Sequence, residues 1–470
     1  MSTTIIRSLS LLAAAACGAC AVGPDYHAPE LTAPAQFKEA EGWQPAAPAD
    51  DLARGDWWQR FGDAQLDALQ AELNRANASI AVSEAAYRQA HALLRNARAA
   101  QLPSVGASAA VTRSGRGSAS SVSGVSNSYS AGLDAAWELD LWGKLRRNVE
   151  AQRASAQASA ADLANARLSL QAELASAYFQ LRAVDEQQRL YEATIAAYQR
   201  SYQIAQNRYA AGVATRADVI SAQAQLQNAQ AAAIDLQAQR AQYEHAIAVL
   251  VGKPPAEFAL APTPYRYEPP AIPAALPAAL LQRRPDVAAA ERAMAAANAQ
   301  IGVAVAAYYP DLSFSASGGY DSSRFAHWFE APYRVWSLGP QLAATLFDGG
   351  ARSAQVEAAH AAYDGQVASY RLSVLTAFQE VEDALAQLAV LRREQQMQDA
   401  ATQAALQAAE LTLNQYKAGT VDYASVAAAQ ATALSSQRSQ LGIINNRLQA
   451  SITLIKALGG GWDVKELPAS

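Results

Sequence analysis

The longest uninterrupted pattern in the sequence runs from Leu145 to Ala211, 67 residues with no Gly and no Pro. From Leu163 onward, larger apolar residues lie three and four positions apart, which is the spacing of a coiled-coil seam. The seam consists of Leu163, Leu170, Leu174, Ala177, Leu181, Val184, Tyr191, Ile195, Tyr198, Tyr202, Ala205 and Tyr209. At a rise of ~1.5 Å per residue the pattern predicts a helix roughly 100 Å long. A second helix, 216–251, is predicted to return after the turn at Gly212.

Four shorter runs alternate apolar and polar residues, and we predict strands at about 104–114, 127–141, 311–321 and 333–347. In the second run the apolar face is Tyr129, Ala131, Leu133, Ala135, Trp137, Leu139 and Leu141, and the polar face includes Ser128, Ser130, Asp134, Glu138 and Asp140. A period of two with one polar side indicates that one face contacts lipid or a core and the other contacts water. Pro340 cannot donate a hydrogen bond to a neighbouring strand, so it marks a weak point in the fourth run.

The order of elements repeats along the chain. An offset of 207 residues carries Pro103 to Pro310, Gly212 to Gly419 and Gly252 to Gly459. We therefore predict two tandem repeats, 56–255 and 278–462, joined by a Pro-rich linker, 256–277, and followed by a tail, 463–470. Four strands cannot close a membrane barrel alone, because the smallest barrels have about eight. Closure therefore requires several chains.

The N-terminus has the form of an export signal, with Arg7 followed by an apolar run and small residues. We predict that residues 1–19 are removed and that Cys20 carries a lipid, with Cys17 as the alternative site. Residues 20–55 would then form a lipidated extended arm. A single lipid is a weak anchor, so further contact with the membrane is expected. The net charge of −5 argues against nucleic-acid binding.

Several short motifs, in this order and spacing, resemble the TolC-like outer-membrane channel lipoproteins of the NodT/OprM group. They are 20–26, 56–61, 283–286, 309–312, 346–350, 378–383, 416–419 and 457–462. The resemblance covers nearly the whole mature chain. It implies an α+β membrane protein: a homotrimer with a 12-stranded outer-membrane β-barrel, four strands per chain, continuous with a long periplasmic α-helical barrel.

The resemblance also implies the function, which is the outer-membrane channel of a tripartite efflux system. Such a channel is a passive conduit that receives small toxic solutes from a periplasmic adaptor and an inner-membrane RND-type pump. The alternatives are a duct for type I protein secretion and a channel for heavy-metal efflux. A cytoskeletal-type coiled-coil rod would fit the long helix but not the sequences that flank it. A surface coiled-coil adhesin, a further alternative, would form no ion-conducting pore.

The hairpin ends are the predicted control point of this channel. We expect Arg216, Asp218, Asp422 and Tyr423 to form a periplasmic gate, and the turns at Gly212 and Gly419 to contact the adaptor. The alternative is that these residues are ordinary helix caps. Relatives commonly carry larger or acidic side chains where this chain has Ala424 and Ala428, so the residues that narrow the opening differ here.

Nothing in the sequence indicates catalysis, a cofactor or a bound metal. The chain has no HExxH, CxxC or nucleotide-binding motif. We interpret its five scattered histidines as solvated or packed residues: His27, His91, His245, His327 and His360. We interpret the acidic cluster Glu380, Glu382 and Asp383 as a structural, hydrated helix face.

Overall fold

The computed structural model describes residues 21–29, 37–39, 56–116, 124–263, 270, 284–462 and 467. The predicted signal 1–19, both cysteines, most of the arm and most of the linker therefore lie outside the described residues.

Four long helices form two hairpins. Helix α3 spans Lys144–Ala210 and α4 spans Arg216–Leu250, while α6 spans Ala351–Ala418 and α7 spans Tyr423–Ala457. Three shorter helices are α1 (Ala64–Ala76), α2 (Ala78–Ala99) and α5 (Pro285–Ala306). The predicted helix 145–211 is confirmed to within one residue at each end. None of the described helices contains a stretch long and apolar enough to cross a membrane.

The first hairpin is held together by the predicted seam. Val184, Tyr191, Tyr198 and Ala205 follow one another at intervals of seven and are each at most 5% exposed. They face residues of α4 with the same kind of spacing, namely Ala222, Leu226, Ala229 and Leu236. Tyr209 was wrongly assigned to the seam, because it lies in the last turn of α3 and is 48% exposed.

The four strands form one antiparallel sheet in the order β1-β2-β3-β4. They span β1 (Ser104–Arg116), β2 (Gly124–Leu139), β3 (Asp311–Ser322) and β4 (Arg334–Ala343). The prediction of a fourth strand extending to residue 347 was wrong. Ala343 pairs with Asp311, the first residue of β3, and the preceding Pro310 has no N–H with which to extend the ladder.

The register gives the sheet one apolar and one polar face. Directly paired residues point to the same side of a sheet, so the alternation along each strand produces alternating apolar and polar rows in the middle of the sheet. One row consists of Val105, Ala135, Ala316 and Leu338, and the next consists of Gly106, Asp134, Ser317 and Ser337. The hydroxyls of Ser317 and Ser337 are hydrogen bonded at 2.8 Å on the polar face. Alternation therefore gives the sheet one mainly apolar surface and one mainly polar surface.

Both strand-to-helix connections are short and are held by an aspartate cap. After β2, the carboxylate of Asp140 accepts hydrogen bonds from the backbone N–H groups of Leu145 (3.1 Å) and Arg146 (2.9 Å). Gly143 takes the left-handed conformation, φ 82°, just before α3 begins. Asp348 caps the start of α6 in the same way. The sheet thus continues directly into the two long hairpins.

The largest hydrophobic core lies where the short helices pack on α3. The motif of residues 56–61 supplies Trp57, Trp58 and Phe61, all buried, with the ring of Phe61 4.9 Å from that of Phe179. The acidic cluster is structural, as expected: Glu380 accepts a hydrogen bond from Arg284 at 2.6 Å. The motif residues therefore build the framework that supports the hairpins.

Candidate gate at the hairpin ends

Each hairpin turns at a glycine with a positive φ. Gly212 has φ 73° and Gly419 has φ 82°, which L side chains rarely adopt. Both turns are exposed, and Val213 beside the first is 61% exposed. The first turn has open space around Gly212, whereas Gly419 faces the guanidinium of Arg208. The two predicted contact points are therefore accessible at the ends of the hairpins.

The two predicted gate carboxylates act as helix caps. Asp218 and Thr215 form a reciprocal capping box at the start of α4, in which the Thr215 hydroxyl donates to Asp218 at 3.0 Å. Asp422 accepts from the backbone N–H and the hydroxyl of Ser425 at 2.9 and 2.7 Å. These two hydrogen bonds hold the pKa of the Asp422 carboxyl below its usual value. Each carboxylate thus stabilises its own turn.

Arg216 is exposed and makes no ion pair within the part of the chain that the structure describes. The structure therefore does not bring together Arg216, Asp218 and Asp422 as one charged cluster.

Tyr423 differs from the other predicted residues because it is completely buried. Its hydroxyl donates to the Gln225 side-chain oxygen on α4 at 3.1 Å. Its ring packs edge-on against Tyr416, with 5.5 Å between the ring centroids. Burial, together with the neighbouring tyrosines, raises the pKa of Tyr423 to about 12. The phenol is therefore a neutral donor that ties the second hairpin to the first.

Further hydrogen bonds extend this link. Gln225 donates to Gln430 at 3.4 Å, and Gln430 donates to the hydroxyl of Ser201 at 3.1 Å. The hydroxyl of Tyr198 donates to the backbone oxygen of Gln430 at 3.4 Å. We call Tyr198, Ser201, Gln225, Tyr423 and Gln430 the amide–tyrosine cluster. It joins α3, α4 and α7 through uncharged groups alone.

A second link lies nearer the turns. Arg208 donates to the backbone oxygen of Lys417 at 3.0 Å, and its guanidinium lies 4.9 Å from the ring centroid of Tyr416. Burial, and after it the charge of Asp218, raises the pKa of Tyr416. A cation over an aromatic face contributes roughly 0.5–1 kcal/mol at an exposed site and more when desolvated. Arg208 therefore links the end of α3 to the second hairpin through a hydrogen bond and through the neutral ring of Tyr416.

Sequence reasoning missed five of the residues that join the hairpins. They are Ser201, Arg208, Gln225, Tyr416 and Gln430. A usable signal was the amide side chain of Gln430 among apolar seam positions, where a polar group requires a partner. The repeat alone does not predict which residues are buried. Tyr209 and Tyr416 occupy equivalent positions in the two repeats, yet they are 48% and 2% exposed.

The histidines lie at the surface, with His327 half-buried and hydrogen bonded to Glu330 at 2.9 Å. Among the described residues, no group of three His, Cys, Asp or Glu side chains could hold a metal ion.

Comparison with known proteins gives consistent matches along the chain. Residues 65–253 and 276–460 match the family described as outer membrane efflux protein. The pyoverdine export outer membrane protein OpmQ of Pseudomonas aeruginosa is 33% identical over 474 residues, covering 97% of each chain. The antibiotic efflux pump outer membrane protein ArpC of Pseudomonas putida is 32% identical, covering 95% of this chain and 93% of its own.

The fold is similar to that of a solved channel. The outer-membrane channel OprN superposes with a TM-score of 0.87 at 32% identity, covering 94% of this chain and 100% of its own. Sequence and structure agree on a non-enzymatic conduit of the outer membrane. This chain therefore belongs to the outer membrane efflux protein family.

Proposed function

We propose that three copies of this chain form the outer-membrane channel of a tripartite efflux system. The observation that carries the proposal is the four-stranded sheet, which is apolar on one face, polar on the other and open at β1 and β4. An exposed strand edge in a membrane requires a partner, because unpaired backbone groups are costly in lipid. Three sheets joined edge to edge would give a closed barrel of twelve strands, with the polar face around the bore.

The helical hairpins would continue this bore into the periplasm as twelve helices. The direct connections after β2 and before α6 support this arrangement, since Asp140 and Asp348 cap the helices within a few residues of the strands. The tandem repeat is supported by the two separate family matches, 65–253 and 276–460. Each repeat supplies one pair of strands and one hairpin.

The channel would be a passive conduit, and its partners would supply energy and selectivity. A periplasmic adaptor and an inner-membrane RND-type pump are the proposed partners. The names of the two relatives specify different cargo, pyoverdine and antibiotics, which fits a bore that does not select. A lipid on Cys20 would add an anchor in the outer membrane.

We place the gate at the amide–tyrosine cluster and the link from Arg208 to Tyr416. These contacts hold the two hairpins of a chain together, so separating them would widen the periplasmic end. Asp218 and Asp422 would contribute by stabilising the turns, and Arg216 would lie outside the closing contacts. The exposed turns at Gly212 and Gly419 would receive the adaptor.

Growth of a deletion strain tests the efflux assignment. We expect sensitivity to dyes and antibiotics that is reversed by the intact gene. Loss of a secreted polypeptide with unchanged drug resistance would favour type I secretion instead, and sensitivity to copper or silver alone would favour heavy-metal efflux. Replacing both turns with a foreign loop should reproduce the sensitivity while the trimers remain intact, because only the adaptor contact is lost.

A further inference from the structure

The segment Ala21–Tyr26, here called the strap, is held along its backbone by both halves of the chain. Val22 donates its backbone N–H to the oxygen of Trp142 at 3.0 Å. Arg147 on α3 donates to the backbone oxygen of Val22 at 3.3 Å. Asn298 on α5 donates to the backbone oxygen of Pro24 at 3.0 Å. The strap therefore lies in a groove between the β2–α3 turn and α5.

Arg147 makes the largest number of these contacts. Its guanidinium also donates to the backbone oxygen of Gly23 at 3.3 Å, to Asp25 at 2.7 Å and to Glu150 at 2.8 Å. The Arg147 side chain is only 6% exposed. A buried cation is costly unless its donors are satisfied, and three of its four acceptor residues belong to the strap. Without the strap, Arg147 would keep only Glu150.

Two glycines, Gly23 in the strap and Gly302 on α5, allow the strap to pack closely in the groove. Gly23 has φ 92°, and a Cβ there would lie 2.4 Å from the Cα of Gly302 on α5. A Cβ at Gly302 would in turn lie 2.8 Å from the Cγ of Arg147. Non-bonded carbon atoms essentially never approach that closely, so a side chain at either position would displace the strap or Arg147. At its far end, the Tyr26 hydroxyl donates to Glu291.

The groove also reaches the base of the sheet. The indole of Trp142 donates to the backbone oxygen of Pro310 at 2.8 Å and its ring stacks on that of Tyr309, 4.8 Å between centroids. Pro310 immediately precedes β3. Ala21 packs against Gly143 in the turn before α3. The strap therefore contacts the turn after β2 directly and reaches the start of β3 through Trp142.

We propose that the strap is a latch that fixes the lipid-bearing end of the chain to the base of the sheet, with Arg147 as the positioning residue. The lipid in this proposal rests on the proposed acylation of Cys20. Consecutive Cα atoms are about 3.8 Å apart, so a lipid on the residue before Ala21 would start beside the strand-to-helix turn. The anchor would then be a fixed part of the membrane boundary rather than the end of a free tether.

Spin labelling of the intact trimer tests this latch. A nitroxide is attached at Ala28→Cys, an exposed position just beyond the strap, in a chain that also carries Cys17→Ala. We expect an immobile spectrum in this parent protein and a largely mobile one after Arg147→Gln. The matched control is Arg153→Gln on the same helix, where the arginine is exposed and the label should stay immobile.

A second variant, Asp25→Asn, weakens the same ion pair from the side of the strap. It allows the latch to be tested even if trimers of Arg147→Gln do not assemble. Asp25 is 80% exposed, so its replacement leaves the packing of the fold intact, and a partly mobile label is expected. A mobile label in the parent, or an immobile one in both Arg147→Gln and Asp25→Asn, would overturn the latch. An electrically silent parent with an immobile label would refute the channel while supporting the latch.

Discussion

The two hairpin turns have similar backbones, but the first residue of the following helix is exposed in one and buried against the other hairpin in the second. Helix α4 begins with Arg216 and helix α7 begins with Tyr423, and each is preceded by a cap residue, Thr215 or Asp422. Arg216 is exposed, whereas Tyr423 is completely buried against the first hairpin. Of these two equivalent positions, only the one in the second turn therefore links the hairpins.

This difference separates local from long-range stabilisation. The caps satisfy the first N–H groups of their own helices and leave the relation between the hairpins unchanged. Tyr423 and the amides of Gln225 and Gln430 connect residues about 200 positions apart in the chain. A gate that opens by separating the hairpins must break the second kind of contact, so the largest effects are expected there.

Tyr423→Ala is expected to have the largest effect on the closed state. Removing a buried aromatic side chain costs about 3–5 kcal/mol. An equilibrium shifts tenfold for about every 1.4 kcal/mol, so resting conductance in a planar bilayer should rise strongly. Arg216→Ala is the matched control at the start of the other helix and should leave the resting current unchanged. Equal currents from both variants would remove the distinction between the hairpins.

Tyr423→Phe isolates the hydrogen bond from the packing. The ring remains against Tyr416, but Gln225 loses its donor, at a net cost of about 1 kcal/mol for a neutral hydrogen bond. We therefore expect a rise in resting conductance of about fivefold, well below that of Tyr423→Ala. A variant with the current of the unmodified channel would show that packing alone holds the hairpins together.

Asp218→Ala combined with Asp422→Ala is expected to raise resting conductance by less than Tyr423→Ala. The two carboxylates stabilise their own turns as helix caps, and neither makes a hydrogen bond to the other hairpin in the described residues. Single-channel recording of the double variant measures the change. An unchanged closed-state current would exclude both carboxylates from the gate.

The smallest expected change is the response of the closed state to pH between about 5 and 9. The pKa of Tyr423 is raised to about 12, so its contribution to stability is constant below its unfolded pKa near 10 and is lost above it. The pKa of Asp422 is lowered, so its contribution persists above about 4 and is lost as the pH falls further. Resting current recorded across this range should form a plateau, and a step within it would indicate another titrating group.

Periodicity predicted a helix or strand well where burial against one neighbouring element alone produced the pattern. Burial against a single neighbouring helix explains the seam at Val184, Tyr191 and Tyr198, so the long helix could be predicted closely. Alternation also located the four strands, but it continued past Ala343 because Leu346 is apolar. The actual end of β4 depends on where β3 begins, which the local pattern does not contain.

The gate was less predictable because its contacts join distant parts of the chain. Asp218 and Asp422 have a local role, as caps, that their position after a turn already suggests. The partner of Tyr423 is Gln225, and their pairing depends on how the two hairpins pack. Among the four predicted gate residues, only Tyr423 makes a hydrogen bond between the hairpins in the described structure.

Conductance of the purified protein in planar bilayers tests the central claim most directly. The proposed trimer of two-faced sheets would surround a water-filled bore, so we expect discrete channel currents that increase in Tyr423→Ala and not in Arg216→Ala. A protein that remains a monomer in detergent, or leaves bilayers without current even as Tyr423→Ala, would contradict the proposed channel.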